Sequence, residues 1–150
     1  MSQYTTTEVT ALALQEHMVA LIRAFGLHRP DETPCGEPVA VAEAHALMEL
    51  TKSEGLSQNA LCTRLQLVKS TVSRMVSSLE KRGWVERHRD ERDGRAVTLH
   101  LTAQGRAASQ QLAEARRAKF TRLLERIPEE EREHVVDTLN VLVEAMRAPP

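Results

Sequence analysis

The 150-residue chain is 27% charged, 41% hydrophobic and only 3% aromatic, and its net charge is −1 at pH 7. A chain of this length forms one domain with an ordinary hydrophobic core, and its many Ala, Leu, Glu and Arg residues favour helices over a β-sandwich. No apolar run approaches the roughly 18 residues that a membrane span requires, and the N-terminus lacks the basic start of a secretory signal. We therefore expect a cytoplasmic protein without a membrane partner.

The small net charge hides an uneven distribution. Residues 64–106 contain ten Lys or Arg against five Asp or Glu, a net charge of +5, which leaves −6 for the rest of the chain. A basic patch on an acidic body is typical of a protein that contacts phosphates locally, although ordinary solvated surface charge would look similar.

Helical spacing of apolar residues dominates the first half of the chain. It predicts a helix over Val9–Phe25, a loop over Leu27–Pro38 and a second helix over Ala40–Lys52. Ser57 is a good N-cap for a short third helix that ends near Gln66.

A fourth helix over Lys69–Arg82 is predicted to present two different faces. The buried stripe, at i, i+3, i+4 and i+7, comprises Val72, Met75, Val76 and Leu79. The opposite face is small, polar and basic, which suits a helix in a DNA major groove: small residues allow a close approach, and a guanidinium can reach a guanine edge or a phosphate. The predicted DNA-binding residues are Lys69, Ser70, Thr71, Ser73, Arg74 and Ser77.

The start of this fourth helix lacks the usual signals. Val68 stands where an N-cap Ser or Asp is expected, and Lys69 lies at the positive end of the helix dipole. A phosphate bound at the helix start would relieve both defects, whereas a slightly frayed first turn is the alternative.

Two strands are predicted next, over Trp84–Arg89 and Ala96–Leu101, and the turn between them contains Asp93-Gly94, a strong signal for a tight hairpin. A tight turn would set two arginines opposite each other, where they repel unless the tip enters the negative potential of a narrow minor groove. Two aspartates would orient the guanidinium groups by hydrogen bonds. The predicted DNA-contacting wing residues are Asp90, Arg92, Asp93 and Arg95.

Two further helices are predicted at the C-terminal end. Thr102 caps a helix that reaches about Ile127, and Pro128 is expected at the first position of a last helix with an apolar face from Val135 to Met146. Such helices beyond a compact module need a partner to cover them, and we expect a homodimer.

The predicted fold is mainly α with a small β wing, a single domain over 1–150. A winged helix-turn-helix occupies about 40–102, and dimerisation helices occupy about 6–26 and 103–147.

Five short motifs resemble, in order and spacing, those of the MarR family of bacterial transcriptional regulators. They are Leu61-Cys62-Thr63-Arg64-Leu65, Lys69-Ser70-Thr71-Val72-Ser73-Arg74, Leu79-Glu80-Lys81-Arg82-Gly83, Asp90-Glu91-Arg92-Asp93-Gly94-Arg95 and Leu101-Thr102-Ala103-Gln104-Gly105. The chain departs from the family pattern at Gln66, where a glycine is usual, and at Val68, where a cap residue is usual.

The resemblance implies an obligate homodimer that represses transcription. Its two recognition helices would enter successive major grooves of a pseudo-palindromic operator, with the wings in the flanking minor grooves. A small effector, often an anionic phenolic compound or another lipophile, would bind between the dimerisation and DNA-binding parts and release the DNA. Some relatives sense oxidants through cysteine, or metals.

The remaining candidate sites have weaker support. Cys35 falls in a loop, outside the N-terminal helix that carries the family's peroxide-sensing cysteine, so a redox-responsive regulator using Cys35 is an alternative; Cys62 is predicted to lie in the core. The six histidines contain no pair at i, i+3 or i, i+4, so no metal site is predicted. His45 is the histidine predicted to face an effector pocket, against an ordinary half-buried histidine.

No enzyme and no cofactor are expected, because the sequence contains no nucleophile elbow, phosphate-cradling glycine loop or HExxH motif. The alternative to a DNA-binding regulator is a helical protein-interaction module whose basic face is incidental. Only DNA binding should weaken steeply as salt rises.

Overall fold

The structure, a computed structural model, describes residues 5–149, which form six α-helices, one short 3-10 turn and a three-stranded antiparallel sheet. The helices are α1 (Thr6–Phe25), α2 (Val41–Lys52), α3 (Gln58–Leu65), α4 (Lys69–Lys81), α5 (Ala103–Glu125) and α6 (Arg132–Arg147). The strands are β1 (Leu56–Ser57), β2 (Val85–Arg89) and β3 (Val97–Leu101). The predicted mainly α fold with a β wing is confirmed. None of the helices described is both long and apolar enough to cross a membrane.

Side-chain caps fix the starts of three helices. Ser57 accepts a hydrogen bond from the Ala60 N–H at 3.0 Å, and Thr102 accepts one from the Gly105 N–H at 3.0 Å, as predicted. Thr5 and Glu8 form a capping box, so α1 begins three residues before the predicted Val9. The apolar periodicity indicated the helix, but the cap determines where it starts.

One hydrophobic core joins α2, α3, α4, the sheet and the first half of α5. Its fully buried large side chains are Leu47, Leu61, Val72, Val76, Leu79 and Leu99. These residues place α3 and α4 as the two helices of a helix-turn-helix, with β2 and β3 following as the wing.

The sheet differs from the predicted two-stranded hairpin. Leu56 pairs with Leu99 and Ser57 with Thr98, so β3 lies between β1 and β2. A two-residue strand has no periodicity of its own, and this pairing depends on the tertiary fold.

The last helix also starts later than predicted. Pro128 adopts an extended conformation (φ −50°, ψ 137°) before a 3-10 turn over Glu129–Glu131, and α6 begins at Arg132. Pro128 is therefore not at the first position of this helix, whose entry is a tighter turn instead.

The helices at the two ends of the chain bury no residue within it. In α1, Val9 and Leu12 are half exposed, and in α6 Val136 and Met146 are about 60% exposed. Phe120, Leu123 and Leu124 on the second half of α5 are also between 41% and 49% exposed.

Candidate nucleic-acid interface

Helix α4 presents an open polar face on the side opposite its buried stripe. Val72, Val76 and Leu79 are fully buried, which turns the other residues of the helix outward. A shallow surface depression on that face is formed by Ser73, Arg74, Ser77, Ser78 and Lys81, and Lys69 and Ser70 are exposed at the helix start. Five of the six predicted recognition residues thus share one surface, whereas Thr71 is half-buried and is not among the residues that form the depression. Ser78 belongs to it but was missed, because helical spacing alone places it at the edge of the stripe.

The turn before α4 forms without its usual glycine. Gln66 adopts a left-handed conformation (φ 54°, ψ 41°), the one non-glycine residue with positive φ among residues 5–149. The Gln66 N–H donates to the Thr63 carbonyl, and the Leu67 N–H donates to the Cys62 carbonyl. The α3–α4 turn therefore has ordinary geometry, at a conformational cost of roughly 1 kcal/mol for a side chain in this region.

The first turn of α4 has no side-chain cap. Val68 occupies the N-cap position with an extended backbone, and its side chain is 67% exposed. The positive end of the α4 dipole thus lies beside Lys69 on the exposed surface, where an anion would find backbone N–H groups and a cation together.

The tip of the wing is wider than the predicted tight hairpin. The strands pair as far as Arg89 and Val97, and the Asp90 N–H donates to the Ala96 carbonyl across the loop. Gly94 lacks the positive φ that a two-residue Asp-Gly turn requires. The prediction that a tight turn sets Arg92 and Arg95 opposite each other is therefore wrong.

The two aspartates of this loop explain the difference. The Asp90 carboxylate accepts the Arg92 N–H at 2.8 Å, and the Asp93 carboxylate accepts the Arg95 N–H at 3.1 Å. These local side-chain turns compete with the hairpin turn. The prediction that the aspartates orient the guanidinium groups is also wrong: they fix the backbone of the loop, and all four wing residues are exposed.

The basic residues of this region fall into two groups. Arg64, Arg82 and Arg87 each form an ion pair with a glutamate. Seven others form no ion pair with any residue of the described range 5–149: Arg106 in the first turn of α5, and six on α4 or the wing, namely Lys69, Arg74, Lys81, Arg89, Arg92 and Arg95. The six on α4 and the wing are all exposed. These six cations are therefore available to an external anion on the predicted DNA-binding elements, and Arg89 extends the predicted set.

A cavity of about 200 Å³ lies behind the helix-turn-helix, between α2, α5, the end of α1 and the following loop. Its walls are mainly apolar and include the rings of Phe25 and Phe120, whose centroids are 5.5 Å apart. Three basic side chains also line it: His45, Arg116 and Lys119. Partial burial, reinforced by the Arg116 charge, lowers the pKa of His45 below its ordinary value. The cavity can hold a small lipophilic molecule that carries an acidic group.

The two cysteines are free thiols and lie apart in the fold. Cys35 lines the cavity, and its sulfur is 3.1 Å from the Thr33 hydroxyl. Cys62 packs against the hydrophobic core, as predicted. Within residues 5–149, no three His, Cys, Asp or Glu side chains are grouped so as to hold a metal ion.

Comparison with known proteins connects this geometry with a family. Residues 38–96, which run from the start of α2 to the tip of the wing, match the model of the MarR family. Over this stretch the chain resembles the MarR family. The chain is similar to the HTH-type transcriptional regulator SarZ of Staphylococcus aureus (strain MRSA252), with 33% identity over 97 residues, which are 65% of this chain and 64% of SarZ. The chain spans between 46% and 64% of the length of the curated relatives that it matches.

Solved structures extend the similarity beyond the stretch that matches the family model. The PcaV regulator of Streptomyces coelicolor, solved with its natural ligand, superposes with a TM-score of 0.69 at 22% identity and covers 97% of this chain and 99% of PcaV. FabT of Streptococcus pneumoniae, solved with DNA, has a TM-score of 0.70 at 21% identity and covers 95% of this chain and 98% of FabT. At these identities the similarity establishes the fold, which includes the flanking helices.

Proposed function

We propose that this chain is a transcriptional repressor that binds a pseudo-palindromic operator as a homodimer and that a small acidic effector releases it. The observation that carries the proposal is the group of six exposed cations without an acidic partner on α4 and the wing, within the stretch that matches the MarR-family model. Helix α4 would lie in the major groove, where Arg74 reaches a base edge, and Arg92 and Arg95 would contact the minor groove. The similarity to SarZ, a named transcriptional regulator, and to FabT, solved with DNA, supports it.

The homodimer would form through the apolar faces at the two ends of the chain. Side chains such as Leu12 and Leu139 are about half exposed, and uncovered apolar faces on two helices and the end of a third favour association. A two-fold axis through these helices would hold two copies of α4 at a fixed separation, which an operator with two half-sites matches.

The effector would occupy the cavity between α2 and α5. Apolar walls would bind its lipophilic part, and Arg116 and Lys119 would bind its acidic group. PcaV, which shares the fold, is solved with a natural ligand. Aromatic carboxylates are the class to screen first by thermal shift, and replacing both Arg116 and Lys119 with Gln should abolish the shift that any of them causes in the parent.

Salt dependence tests the DNA-binding part of the proposal. A complex with about six to ten phosphate contacts loses roughly 10³–10⁵-fold in affinity between 50 and 200 mM salt. We expect such a loss when the protein is titrated onto a duplex that it selects from a random pool. An affinity that stays within a few-fold over this range would overturn the assignment of the cationic surface to DNA.

A further inference from the structure

The turn Arg82-Gly83-Trp84, which joins the recognition helix α4 to the wing, is held by the start of α5. The Thr102 hydroxyl donates to the Gly83 carbonyl at 2.6 Å, and the Thr102 N–H donates to the Trp84 carbonyl at 3.0 Å. A Cβ atom at Gly105 would overlap that same Trp84 carbonyl, so the first turn of α5 lies directly against it. The end of α4 is therefore fixed on the side of α5.

The same turn is held from the side of α2 by a buried carboxylate. Glu43 is 8% exposed, and its Oε2 atom has no hydrogen-bond partner. Its nearest cation is the Arg82 guanidinium, at 3.7 Å, and that guanidinium lies over the Trp84 ring, 4.9 Å from the ring centre. Glu43, Arg82 and Trp84 thus form one contiguous row from α2 to the wing.

A buried, incompletely bonded carboxylate is a poor source of stability. The cost of removing it from water generally offsets most of the attraction to its partner, and an unsatisfied oxygen adds to that cost. An apolar residue would serve the packing of α2 at least as well. The position of Glu43 is therefore better explained by what it does to Arg82 than by what it adds to folding stability.

We propose that Glu43 is a positioning residue for DNA binding, which through Arg82 sets the end of the recognition helix against α2. Its neighbour Ala44 and also His45 line the cavity, so a displacement of α2 by an occupant would be carried to α4 along the same row. This role rests on the proposed DNA-binding function, although Glu43 itself is buried behind α4 and does not reach the DNA-binding surface.

The first test compares two variants that remove the same charge from the same helix. Glu43→Gln should weaken binding to the selected duplex about 5–10-fold, because Arg82 loses the group that fixes it. Glu49→Gln is the matched control, since Glu49 only forms ion pairs with Lys52 and Arg64 at the surface, where such pairs contribute little. The control should bind within about twofold of the parent. Equal affinities of the two variants would overturn the proposal.

A double-mutant cycle separates positioning from a general structural effect. If Glu43 acts through Arg82, the change Glu43→Gln should have no further effect on DNA affinity in an Arg82→Gln background. A merely structural role of Glu43 would weaken binding equally in both backgrounds and would lower the unfolding temperature in parallel. That result would overturn the proposal.

Fluorescence provides a readout that does not need DNA. Trp84 is the one tryptophan of the chain, and Arg82 lies over its ring. We expect Glu43→Gln to change the emission of the free protein and Glu49→Gln to leave it unchanged. If the parent binds no duplex, the proposed function is wrong, and so is the role of Glu43 in DNA binding. The emission of Trp84 would still show whether Glu43 positions Arg82. Parent-like emission of Glu43→Gln, together with an unchanged affinity for the duplex, would overturn the positioning role of Glu43 while leaving the proposed function intact.

Discussion

The winged helix-turn-helix and the helices at the chain ends differ in how far their apolar side chains are buried within the chain. Leu61 in α3 is fully buried by residues of the same chain, whereas Leu139 in α6 is 46% exposed. Both belong to regular apolar stripes, so the sequence pattern alone does not distinguish them. The winged helix-turn-helix is therefore stabilised within one chain, whereas the apolar faces of α1 and α6 are left uncovered by it, as the proposed homodimer requires.

The two regions would therefore control different properties of the protein. The helix-turn-helix would determine which groups face the DNA, through the buried stripe of α4 and the backbone turns of the wing. The terminal helices would determine how far apart two such surfaces lie. A change in the helix-turn-helix should therefore alter the free energy of unfolding, whereas a change in the terminal helices should alter the assembly of two chains.

Leu61→Ala should produce the largest loss of stability. Removing a fully buried leucine side chain costs about 2–5 kcal/mol of unfolding free energy, because the site cannot collapse completely. Urea denaturation followed by circular dichroism measures it. The loss should be similar at low and high protein concentration, and a loss that disappears at high concentration would contradict a core built within one chain.

Leu139→Glu should break the dimer while leaving the helix-turn-helix folded. A buried interfacial carboxylate costs several kcal/mol unless it is paired, so sedimentation velocity should show a monomer at micromolar concentration. Asn140→Glu adds the same charge one residue later and serves as the control. If both variants sediment as the parent does, the apolar face of α6 is not the interface.

Several elements could be predicted because their signals are local. The stripe on α4, the caps at Ser57 and Thr102 and the alternation in β3 each follow from neighbouring residues. The recognition residues were placed on one face for the same reason.

Other features could not be predicted, since they depend on contacts distant in sequence or on competing local bonds. Strand β1 exists only because β3 offers it a partner, and the wing tip opens because Asp90 and Asp93 bind nearby N–H groups. Of the residues that line the cavity, the sequence predicts only His45, because Arg116 and Lys119 reach it from a helix 60 residues or more further along the chain. The buried Glu43 has no signature in a helical pattern at all.

Replacing the wing arginines should affect binding without affecting stability. Arg92→Ala or Arg95→Ala should each weaken operator binding by about 1–2 kcal/mol and reduce the slope of log affinity against log salt by about 1. Arg29→Ala, which removes an exposed charge from the loop after α1, is the control. Fluorescence anisotropy at several salt concentrations measures the slope, and equal slopes for all three variants would remove the wing from the interface.

Gln66→Gly should stabilise the protein slightly. Glycine adopts the left-handed conformation without strain, so we expect a gain of up to about 1 kcal/mol, which corresponds to roughly 2–4 °C in melting temperature. Differential scanning calorimetry measures the shift. A lower melting temperature would show that the Gln66 side chain contributes more than its backbone strain costs.

The smallest expected effect concerns pH and His45. Its pKa is lower in the folded protein than in the unfolded chain, so between the two values the unfolded state binds more protons and stability falls as the pH falls. The loss should begin as the pH drops below about 6.5, the ordinary value for histidine. His45→Gln should lose less stability than the parent between pH 7 and pH 5 in thermal melts. A parallel loss in both proteins would assign the pH dependence to other groups.

The stoichiometry of the DNA complex is the most direct test of the proposal that two chains, associated through their terminal helices, bind DNA as one repressor. Sedimentation equilibrium of the protein with a selected duplex, at low salt, measures the mass of the complex. We predict two chains on one duplex for the parent and a complex at least tenfold weaker for Leu139→Glu. A saturable complex of one chain per duplex, equally tight for the parent and Leu139→Glu, would contradict it.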